Sequence, residues 1–460
     1  MAVRPLRLLT AFTMMVLVCA AQVCLAQTTP PTPTPGGVEI DATGVLNLKT
    51  QVDLNGILDR QLAAAARQSQ SKDMQTPSAL RKVSMTRLEK ECAKLLEGGK
   101  PLTDDMLHMA GLTRITHVFF YPETKDVVIA GPAEGFYHNS QNTTVGLDSG
   151  NATLNLEDMV VALRTFGPKA ERVSTITCSI DPTPEGLARL RQACVTIQEQ
   201  FRPGAERQVL QTLQQALGMQ TITVAGVAPE TRMARVLVEA DYQMKLIGIG
   251  LLQPNARVTS YVAGSDPAAG TQNSLQRWYF QPNYECVQVN QDRTAMQLVG
   301  NGVRLLSEDE RVAGDGSRSG TGRSNKASKN FCDSFTKEYD KLSQQIPAFA
   351  ELRNVMDLTI AAAYLQKAQL FQRAEWDMAT FSNEELMPTK RFNAPKQVAP
   401  AINAVWKDGF FMTPIGGGVS IQPMYALNSD KVTEEANGEI TAVRDSIKTD
   451  NLADGQWWWD

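Results

Sequence analysis

Residues 226–251 read GVAPETRMARVLVEADYQMKLIGIGL and combine a strand end, a proline turn, a helix and a glycine-punctuated apolar run. The residues that lead into this stretch, 221–227 (TITVAGV), alternate β-branched and small side chains and predict a half-buried strand. Pro229 is favourable in the first turn of a helix, where its missing N–H costs nothing. Beyond it, apolar residues recur at helical spacing and predict one buried stripe: Met233, Val236, Leu237, Ala240 and Met244.

The same predicted helix carries charged residues that allow two interpretations. Arg235 and Glu239 lie four residues apart, as do Asp241 and Lys245, so the members of each pair can meet on a helix surface. In the first interpretation, Arg232, Glu239 and Asp241 line a polar site. In the second, the charges form ordinary surface pairs that each stabilise the helix by roughly 0.2–0.5 kcal/mol.

Length and composition are those of an ordinary globular protein. The chain has 460 residues, of which 43% are hydrophobic and 20% are charged, with a formal net charge of −4. This length is enough for two or three domains that each bury a core. Because there is no basic excess, the composition predicts no nucleic-acid partner.

The N-terminus has the pattern of a secretory signal peptide over residues 1–26. Arg4 and Arg7 precede an apolar segment, and Cys24-Leu25-Ala26 forms a small-x-small cleavage site. Residues 27–37 follow as a Thr/Pro linker. No later segment approaches the roughly 18 consecutive apolar residues of a membrane helix. We therefore expect an exported protein, periplasmic or secreted, with no transmembrane segment after the signal peptide is removed.

Export would permit disulfides, and five cysteines follow the signal peptide: Cys92, Cys178, Cys194, Cys286 and Cys332. None of their spacings is C-x-x-C, which argues against a zinc cluster. Cys178 and Cys194 form the best candidate pair, because a strand and the helix after it bring them nearly level. A helix packed on a sheet usually exceeds the roughly 4.4–6.8 Å between Cα atoms that a disulfide requires. Buried free thiols are therefore the alternative.

Local patterns also divide the rest of the chain. Residues 38–54 and 113–130 each predict a β-hairpin. A strand, an acidic or proline turn and a helix occur in that order twice, at 173–198 and 221–245, which suggests two α/β lobes. The predicted organisation is an N-terminal α/β lobe (38–200), a central α/β lobe with a β-rich segment (201–310), a flexible basic loop (311–330), a helical hairpin (331–372) and an irregular tail (373–460) with a turn at Gly416-Gly417-Gly418.

Several runs within residues 38–365 carry a resemblance to a known family: GVEIDATGVL, LRKVSMTRLE, AGLTRITHVFFYPETKDVVIAGPAEGF, CSIDPTPEG, GVAPETRMARVLVEADYQMKLIGIGL, RWYFQPNY and ELRNVMDL. They resemble a planctomycete-type family of exported proteins of unknown function, domain of unknown function 1598. The resemblance implies a bacterial envelope or secreted protein without an assigned activity. It brings no catalytic residue, cofactor or substrate.

Motifs for metal or nucleophilic catalysis are missing from the sequence. His108, His117 and His138 form no H-x-x-x-H or H-E-x-x-H spacing, and no G-x-S-x-G elbow accompanies them. We therefore predict no metal, no cofactor and no assignable catalytic residue. A pair of carboxylates would still suffice for a glycosidase. Asp181, at the carboxyl end of a predicted strand, is the best acid, although it could instead cap the next helix.

Two aromatic clusters are candidates for contact with a partner: Trp278, Tyr279, Phe280 and Tyr284, and Trp457, Trp458 and Trp459. The first cluster could stack on sugar or peptide, but strand alternation would send half of it into the core. The three tryptophans at the polar C-terminus could dock on a partner or fold back on the same chain.

Together these patterns predict an α+β protein of two α/β lobes with short mixed sheets, a β-rich segment and a C-terminal helical hairpin. The candidate polar site comprises Asp181, Arg232, Glu239 and Asp241. Two functions are open. The first is a non-catalytic interaction or scaffold protein of the envelope; the second is a hydrolase of envelope polysaccharide that uses the carboxylates of Asp181, Glu239 and Asp241. The expected partner is correspondingly an envelope protein or a polysaccharide.

Overall fold

The computed structural model describes residues 34–460 except for 52, 54–55, 169, 171–172, 201–203, 266–273, 404, 407–409, 412–413 and 450–451. The predicted signal peptide and most of the Thr/Pro linker lie outside the described residues. Within the described residues, no helix has both the length and the apolar composition needed to cross a bilayer.

The strands, in chain order, are β1 (Thr34–Ile40), β2 (Val45–Gln51), β3 (Ser78–Ser84), β4 (His117–Tyr121), β5 (Asp126–Ala133), β6 (Phe136–His138), β7 (Thr144–Gly146), β8 (Ile176–Asp181), β9 (Gln220–Ala225), β10 (Ser274–Pro282), β11 (Val287–Val289), β12 (Ala295–Leu298), β13 (Val303–Val312), β14 (Arg318–Gly320), β15 (Gln397–Val398), β16 (Val405–Trp406), β17 (Phe410–Phe411), β18 (Ile415–Ile421), β19 (Thr433–Glu434) and β20 (Trp458–Trp459).

The α-helices are α1 (Ile57–Ser69), α2 (Lys72–Gln75), α3 (Met85–Glu97), α4 (Asp104–Leu107), α5 (Leu156–Phe166), α6 (Pro184–Gln200), α7 (Glu206–Leu217), α8 (Arg232–Gly248), α9 (Tyr261–Gly264), α10 (Lys326–Lys337), α11 (Tyr339–Gln345), α12 (Pro347–Lys367), α13 (Leu370–Arg373), α14 (Pro423–Ala426) and α15 (Glu439–Ser446). A 3₁₀ turn spans Met109–Gly111.

The described strands form two main sheets. The large sheet has the order β1-β2-β15-β9-β8-β18-β10-β13-β14, and the small sheet has the order β19-β11-β12-β4-β5-β3-β20. Both mix parallel and antiparallel neighbours; β18, for example, runs parallel to β10 and antiparallel to β8. The predicted α+β class is confirmed.

The two predicted hairpins are confirmed as the β1–β2 and β4–β5 pairs. The predicted lobe boundary at residue 200, however, separates strands that share a sheet. β8 and β9 pair with each other in the large sheet, and β4 pairs with β12 in the small sheet. Each sheet is therefore built from both predicted lobes.

The C-terminal tail, predicted to be irregular, supplies strands to both sheets. β18 lies in the interior of the large sheet, so the predicted turn at Gly416-Gly417-Gly418 is wrong. A Cβ atom on Gly417 would lie 1.7 Å from the Trp278 carbonyl oxygen, and one on Gly418 would lie 1.8 Å from the Cys178 carbonyl oxygen. These glycines therefore permit a close approach between strands rather than a change of chain direction.

Three other expectations need correction. The basic segment 311–330, predicted to be a flexible loop, contains the end of β13, β14 and the first residues of α10. The pattern of residues 257–263 (RVTSYVA) predicts a strand, but these residues instead lead into and begin the short helix α9. All five cysteines after residue 26 are unpaired, so the Cys178–Cys194 disulfide is not formed and the free-thiol alternative holds.

Helix α12 is buried around its whole circumference. Every residue from Ala348 to Leu365 is buried, whereas the helical spacing of the apolar residues predicts a single inner stripe: Leu352, Val355, Leu358, Ala362 and Leu365. Three of its charged residues form ion pairs with other parts of the chain: Glu351 pairs with Arg232, Asp357 pairs with Arg114 at 2.9 Å, and Arg353 pairs with Asp340 of α11 at 2.8 Å. The ion pairs satisfy charges that burial would otherwise make costly.

The predicted helix is confirmed as α8, but it begins at Arg232, so Pro229 lies in the turn before the helix and not in its first turn. Helix α8 packs between α12 and the large sheet, where it contacts β8 and β18. The Thr231 side chain caps its N-terminus by accepting a hydrogen bond from the Ala234 N–H at 3.2 Å. At its other end, a Cβ atom on Gly248 would lie 2.2 Å from the Trp278 ring. Thr231 therefore determines where α8 begins, and Gly248 allows the helix to approach β10 closely.

We expect a Gly418→Ala substitution to lower the free energy of unfolding by at least ~3 kcal/mol, because the added methyl group collides with the backbone of β8. Urea denaturation measures the effect. Gly300→Ala is the control: Gly300 has open space around it, and its positive φ, which Gly418 lacks, accounts for an expected loss of about 1–2 kcal/mol. Equal losses in the two variants would contradict the role assigned to β18.

Candidate functional site

A cavity of about 250 Å³ lies where the N-terminal ends of α5, α8 and α12 meet. Its lining comprises Gly37, His108, His138, Gln141, Asn142, Thr143, Thr144, Thr153, Asn155, Glu157, Arg232, Arg235, Val236, Glu239, Gln243, Pro347, Ala348, Glu351, Lys390 and Phe392. Most of these side chains are polar or charged. The positive end of the α5 dipole favours the acidic residues in its first turn, Glu157 and Asp158.

Arg232 is the central cation of this cavity. Its guanidinium donates to Asp158 of α5 and to Glu351 of α12. Burial opposes the positive charge, but the two carboxylates outweigh it and raise the pKa of Arg232. Burial also raises the pKa of Asp158 to about 6, against the opposing effect of Arg232. The triad is a buried ion network with one positive charge and two acidic partners.

Glu239 is the second charged residue that matters in the cavity. It lies seven residues after Arg232, on the same face of α8. Burial raises its pKa to about 7, and the negative charge of Glu351 adds to the effect. Its carboxylate accepts a hydrogen bond from the Gln243 side-chain amide at 2.9 Å. A carboxyl group that titrates near neutral pH can carry or release a proton under ordinary conditions, which is what a general acid requires.

Hydroxyl groups link two histidines along another wall of the cavity. The Thr144 hydroxyl lies 2.8 Å from Nδ1 of the exposed His138 and 3.3 Å from Nε2 of the buried His108. The Thr153 hydroxyl lies 3.3 Å from Nδ1 of His108. Burial lowers the pKa of His108 to about 3, and His138 and Arg232 contribute to this shift. His108 is therefore neutral at ordinary pH and acts as a hydrogen-bonding group rather than a cation.

One buried polar atom of the cavity lining has no hydrogen-bond partner in the described chain. Gln243 is only 2% exposed, and its side-chain carbonyl oxygen has no hydrogen-bond partner within the described part of the chain. At the mouth, Arg235 and Lys390 both lie over the ring of Phe392, with distances to the ring centroid of 5.6 Å and 5.3 Å. The cavity thus offers donors, acceptors, both signs of charge and one aromatic surface.

Residues 178–261 match the protein family described as Protein of unknown function (DUF1598). The resemblance seen in the sequence is confirmed for this segment. No curated protein and no solved structure matches the chain. The DUF1598 segment runs from β8 to the first residue of α9, so it supplies all the α8 residues of the cavity, and the remaining walls come from outside it.

The four residues of the predicted polar site fall into two groups. Arg232 and Glu239 line the cavity, whereas Asp181 and Asp241 do not. Helical geometry explains the division: residues seven apart lie on the same face of α8, but Glu239 and Asp241, two apart, point about 200° from each other. The DUF1598 segment therefore presents its acids on opposite sides of one helix.

Asp241 and Asp181 belong to a separate ion network against the large sheet. Asp241 is fully buried and pairs with Lys245 at 2.9 Å, and Lys245 also donates to the Ile180 carbonyl oxygen at 2.7 Å. Asp181 pairs with Arg318 at 2.8 Å. Burial alone would raise the pKa of Asp181, but Lys245 and Arg318 together lower it below its ordinary value. These acids are engaged in structural pairs.

The C-terminal tryptophans contact the protein's own chain. Trp458 and Trp459 form β20, which pairs with β3 at the edge of the small sheet. The Ser84 N–H donates to the Trp457 carbonyl oxygen at 2.9 Å. The fully buried Arg81 holds Asp460 at 3.0 Å and lies 4.7 Å from the Trp458 ring centroid. The three tryptophans therefore fold back on the same chain, which is one of the two arrangements that the sequence left open.

Sequence reasoning missed several residues of the cavity: Gln243, Glu351, Lys390 and the pair His108 and His138. Glu351 lies in the ELRN run, whose two opposite charges inside an otherwise apolar helix are a signal of buried pairing. The others have no local signal, because contacts distant in sequence bring them together. Within the described residues, no group of three or more His, Cys, Asp or Glu side chains is arranged to hold a metal ion.

A Glu239→Gln substitution should change how stability depends on pH. The folded-state pKa of Glu239, about 7, exceeds its ordinary value of 4.5, so the folded protein binds more protons than the unfolded chain between these values. Wild-type stability therefore falls as pH rises through this window. Relative to wild type, we expect the variant to gain on the order of 2 kcal/mol between pH 4.5 and 8, measured by urea denaturation. Exposed Glu434→Gln is the control, and parallel pH curves for wild type and Glu239→Gln would contradict the shift.

Truncation after Gln456 tests the docking of the C-terminus. The shortened chain loses the buried Trp457 and the carboxylate that pairs with Arg81, so the free energy of unfolding should fall by about 3 kcal/mol or more. Asp460→Asn, which weakens only the ion pair, should have a smaller effect. Unchanged urea midpoints after truncation would instead indicate that the tryptophans are available to a partner.

Proposed function

We propose that the protein is an exported, non-catalytic binding protein of the cell envelope whose cavity takes a small polar ligand, such as one sugar unit of an envelope polysaccharide. The observation that carries the proposal is the unpartnered carbonyl oxygen of Gln243 in a cavity of convergent polar groups. A buried acceptor without a partner costs about 1–3 kcal/mol, which a ligand hydroxyl or amine would recover. Export is supported by the signal-peptide pattern of residues 1–26.

The size and chemistry of the cavity support this ligand class. Ligand pockets usually range from about 300 to 1,000 Å³, so a cavity of about 250 Å³ suits a ligand of one ring rather than a long chain. Hydrophobic ligands are disfavoured, because they would leave several charged and polar groups of the wall without partners. The ring of Phe392 at the mouth gives a sugar one apolar surface to pack against.

A hydrolase remains the second candidate, and the shifted pKa of Glu239 favours it. Burial and the neighbouring Glu351 raise the pKa of Glu239 to about 7, which suits the acid of the carboxyl pair that cleaves glycosidic bonds. Glu239 would donate a proton to the leaving oxygen. Glu351 is held by Arg232 and would act as the second carboxylate. Asp181 and Asp241, named as acids from the sequence, are occupied in ion pairs elsewhere.

Calorimetric titration of the purified protein with neutral, amino and acidic monosaccharides tests the proposal. At least one monosaccharide should bind, and Gln243→Leu should weaken its binding about tenfold by removing the free acceptor. Gln288→Leu on β11, outside the cavity, is the matched control and should bind as wild type does. If none of the monosaccharides binds, or if the Gln288 variant is equally impaired, the binding function is wrong.

A second experiment on the purified protein distinguishes binding from catalysis. Incubation with reducing-end-labelled oligosaccharides built from the bound sugar shows whether a glycosidic bond is cleaved. Cleavage that Glu239→Gln abolishes while binding persists would establish the hydrolase. Binding without cleavage in the wild type would establish the non-catalytic function.

A further inference from the structure

A second groove, of about 270 Å³, lies on the face of the large sheet opposite α8. Trp278 and Phe280 of β10 point toward α10, where they contact Phe331 and Phe335. Because side chains alternate along a strand, Arg277 and Tyr279 point to the other face and into the groove. The alternation of side chains along β10 thus places Trp278 and Phe280 in the core and Tyr279 in the groove.

The shape of the groove follows from the small residues of β18. In the cross-strand register, Gly418 lies beside Ser179 of β8 and Tyr279 of β10, and Ser420 lies beside Thr177. Glycine and serine on the central strand leave a trough one strand wide between taller side chains. We call this feature the β18 trough: Thr177, Ser179, Arg277, Tyr279, Gly418 and Ser420.

Most charges around the β18 trough are paired, and the exception is a carboxylate: Glu308 lines the groove, accepts a hydrogen bond from the Gly322 N–H at 3.1 Å and has no ion-pair partner within the described residues. Arg277 pairs with Glu310 at 3.2 Å, and Arg318 closes one end of the trough by pairing with Asp181 at 2.8 Å. The groups left for a ligand are the hydroxyls of Thr177, Ser179, Ser420 and Tyr279, which have no hydrogen-bond partner within the described chain, and the Glu308 carboxylate. The carboxylate can accept a hydrogen bond from a ligand hydroxyl and disfavours an acidic ligand. Hydroxyls donate and accept, so their best complement is an uncharged ligand that does the same.

The backbone of the trough argues against a peptide ligand. Extended peptides usually bind a sheet by adding to an open edge, where free N–H and C=O groups give the affinity. β18 has strands on both sides, so its backbone groups are paired within the sheet. A chain that lies on this face must be recognised by side chains alone.

We propose that the β18 trough binds a neutral polysaccharide chain that lies along β18, with a sugar ring packed on Tyr279. Neighbouring sugar hydroxyls bond to the side chains of Thr177, Ser179 and Ser420. This site is separate from the cavity at the helix ends and does not rest on the function proposed for it. The cavity suits one polar unit, whereas the trough is an open groove that a longer chain can enter and leave.

Calorimetric titration with cellohexaose, laminarihexaose, xylohexaose and chitohexaose tests the proposal. We expect at least one hexasaccharide to bind the full-length protein, and Tyr279→Ala to weaken binding about tenfold or more. Thr177→Val keeps the side-chain shape but removes one hydroxyl, so a loss of about three- to tenfold is expected. Thr223→Val on the neighbouring strand β9 lies on the same face but outside the trough, and it should bind as wild type does.

The cavity variant Gln243→Leu distinguishes the two sites. It should keep hexasaccharide affinity while it loses monosaccharide binding, and Tyr279→Ala should do the reverse. Failure of all four hexasaccharides to bind would overturn the trough proposal. So would hexasaccharide binding that Thr177→Val leaves unchanged, or that a glycine–serine peptide displaces.

Discussion

The guanidinium of Arg232, held between Asp158 and Glu351, is the interaction on which the rest of the structure most depends. It joins α5, α8 and α12, the three helices that pack at the centre of the molecule. Removing one member of such a buried network typically costs about 3–5 kcal/mol, because the remaining charge is left unpaired. Arg232 and Glu351 also line the cavity, and the negative charge of Glu351 adds to the effect of burial in raising the pKa of Glu239.

Helix α12 shows why buried ion pairs matter for this fold. A helix that is apolar on one side is oriented by that side, but α12 is buried all round and has no such preference. Its charged residues provide the missing orientation. Glu351 pairs with Arg232 on one side of the helix, whereas Arg353 and Asp357, four residues apart, pair with Asp340 and Arg114 on the other side. The polar residues of this helix therefore specify its rotation, while its apolar residues provide most of the burial energy.

The sequence predicts those elements whose information is local. The alternation of apolar and polar residues predicts the two hairpins, and the helical spacing of apolar residues from Met233 to Met244 predicts α8. β18 escapes prediction because IGGGVSI contains no alternation and its glycines are explained only by the neighbouring strands. For a similar reason, the sequence predicts only some of the residues that line the cavity. Arg232 and Glu239 are marked by α8 itself, but the partner of Arg232 on α12 lies 119 residues away, and no local pattern links the two.

The position of β18 constrains the order in which the chain can fold. Gly417 lies beside the Asp181 carboxylate although 236 residues separate them, and β18 is the only described strand between β8 and β10. During synthesis, β8 and β10 emerge long before the strand that joins them, and a long loop must close before the large sheet is continuous. Until then both strands have an unpaired edge, which is the surface most prone to aggregation. The large sheet therefore cannot be completed until residues 415–421 have been made.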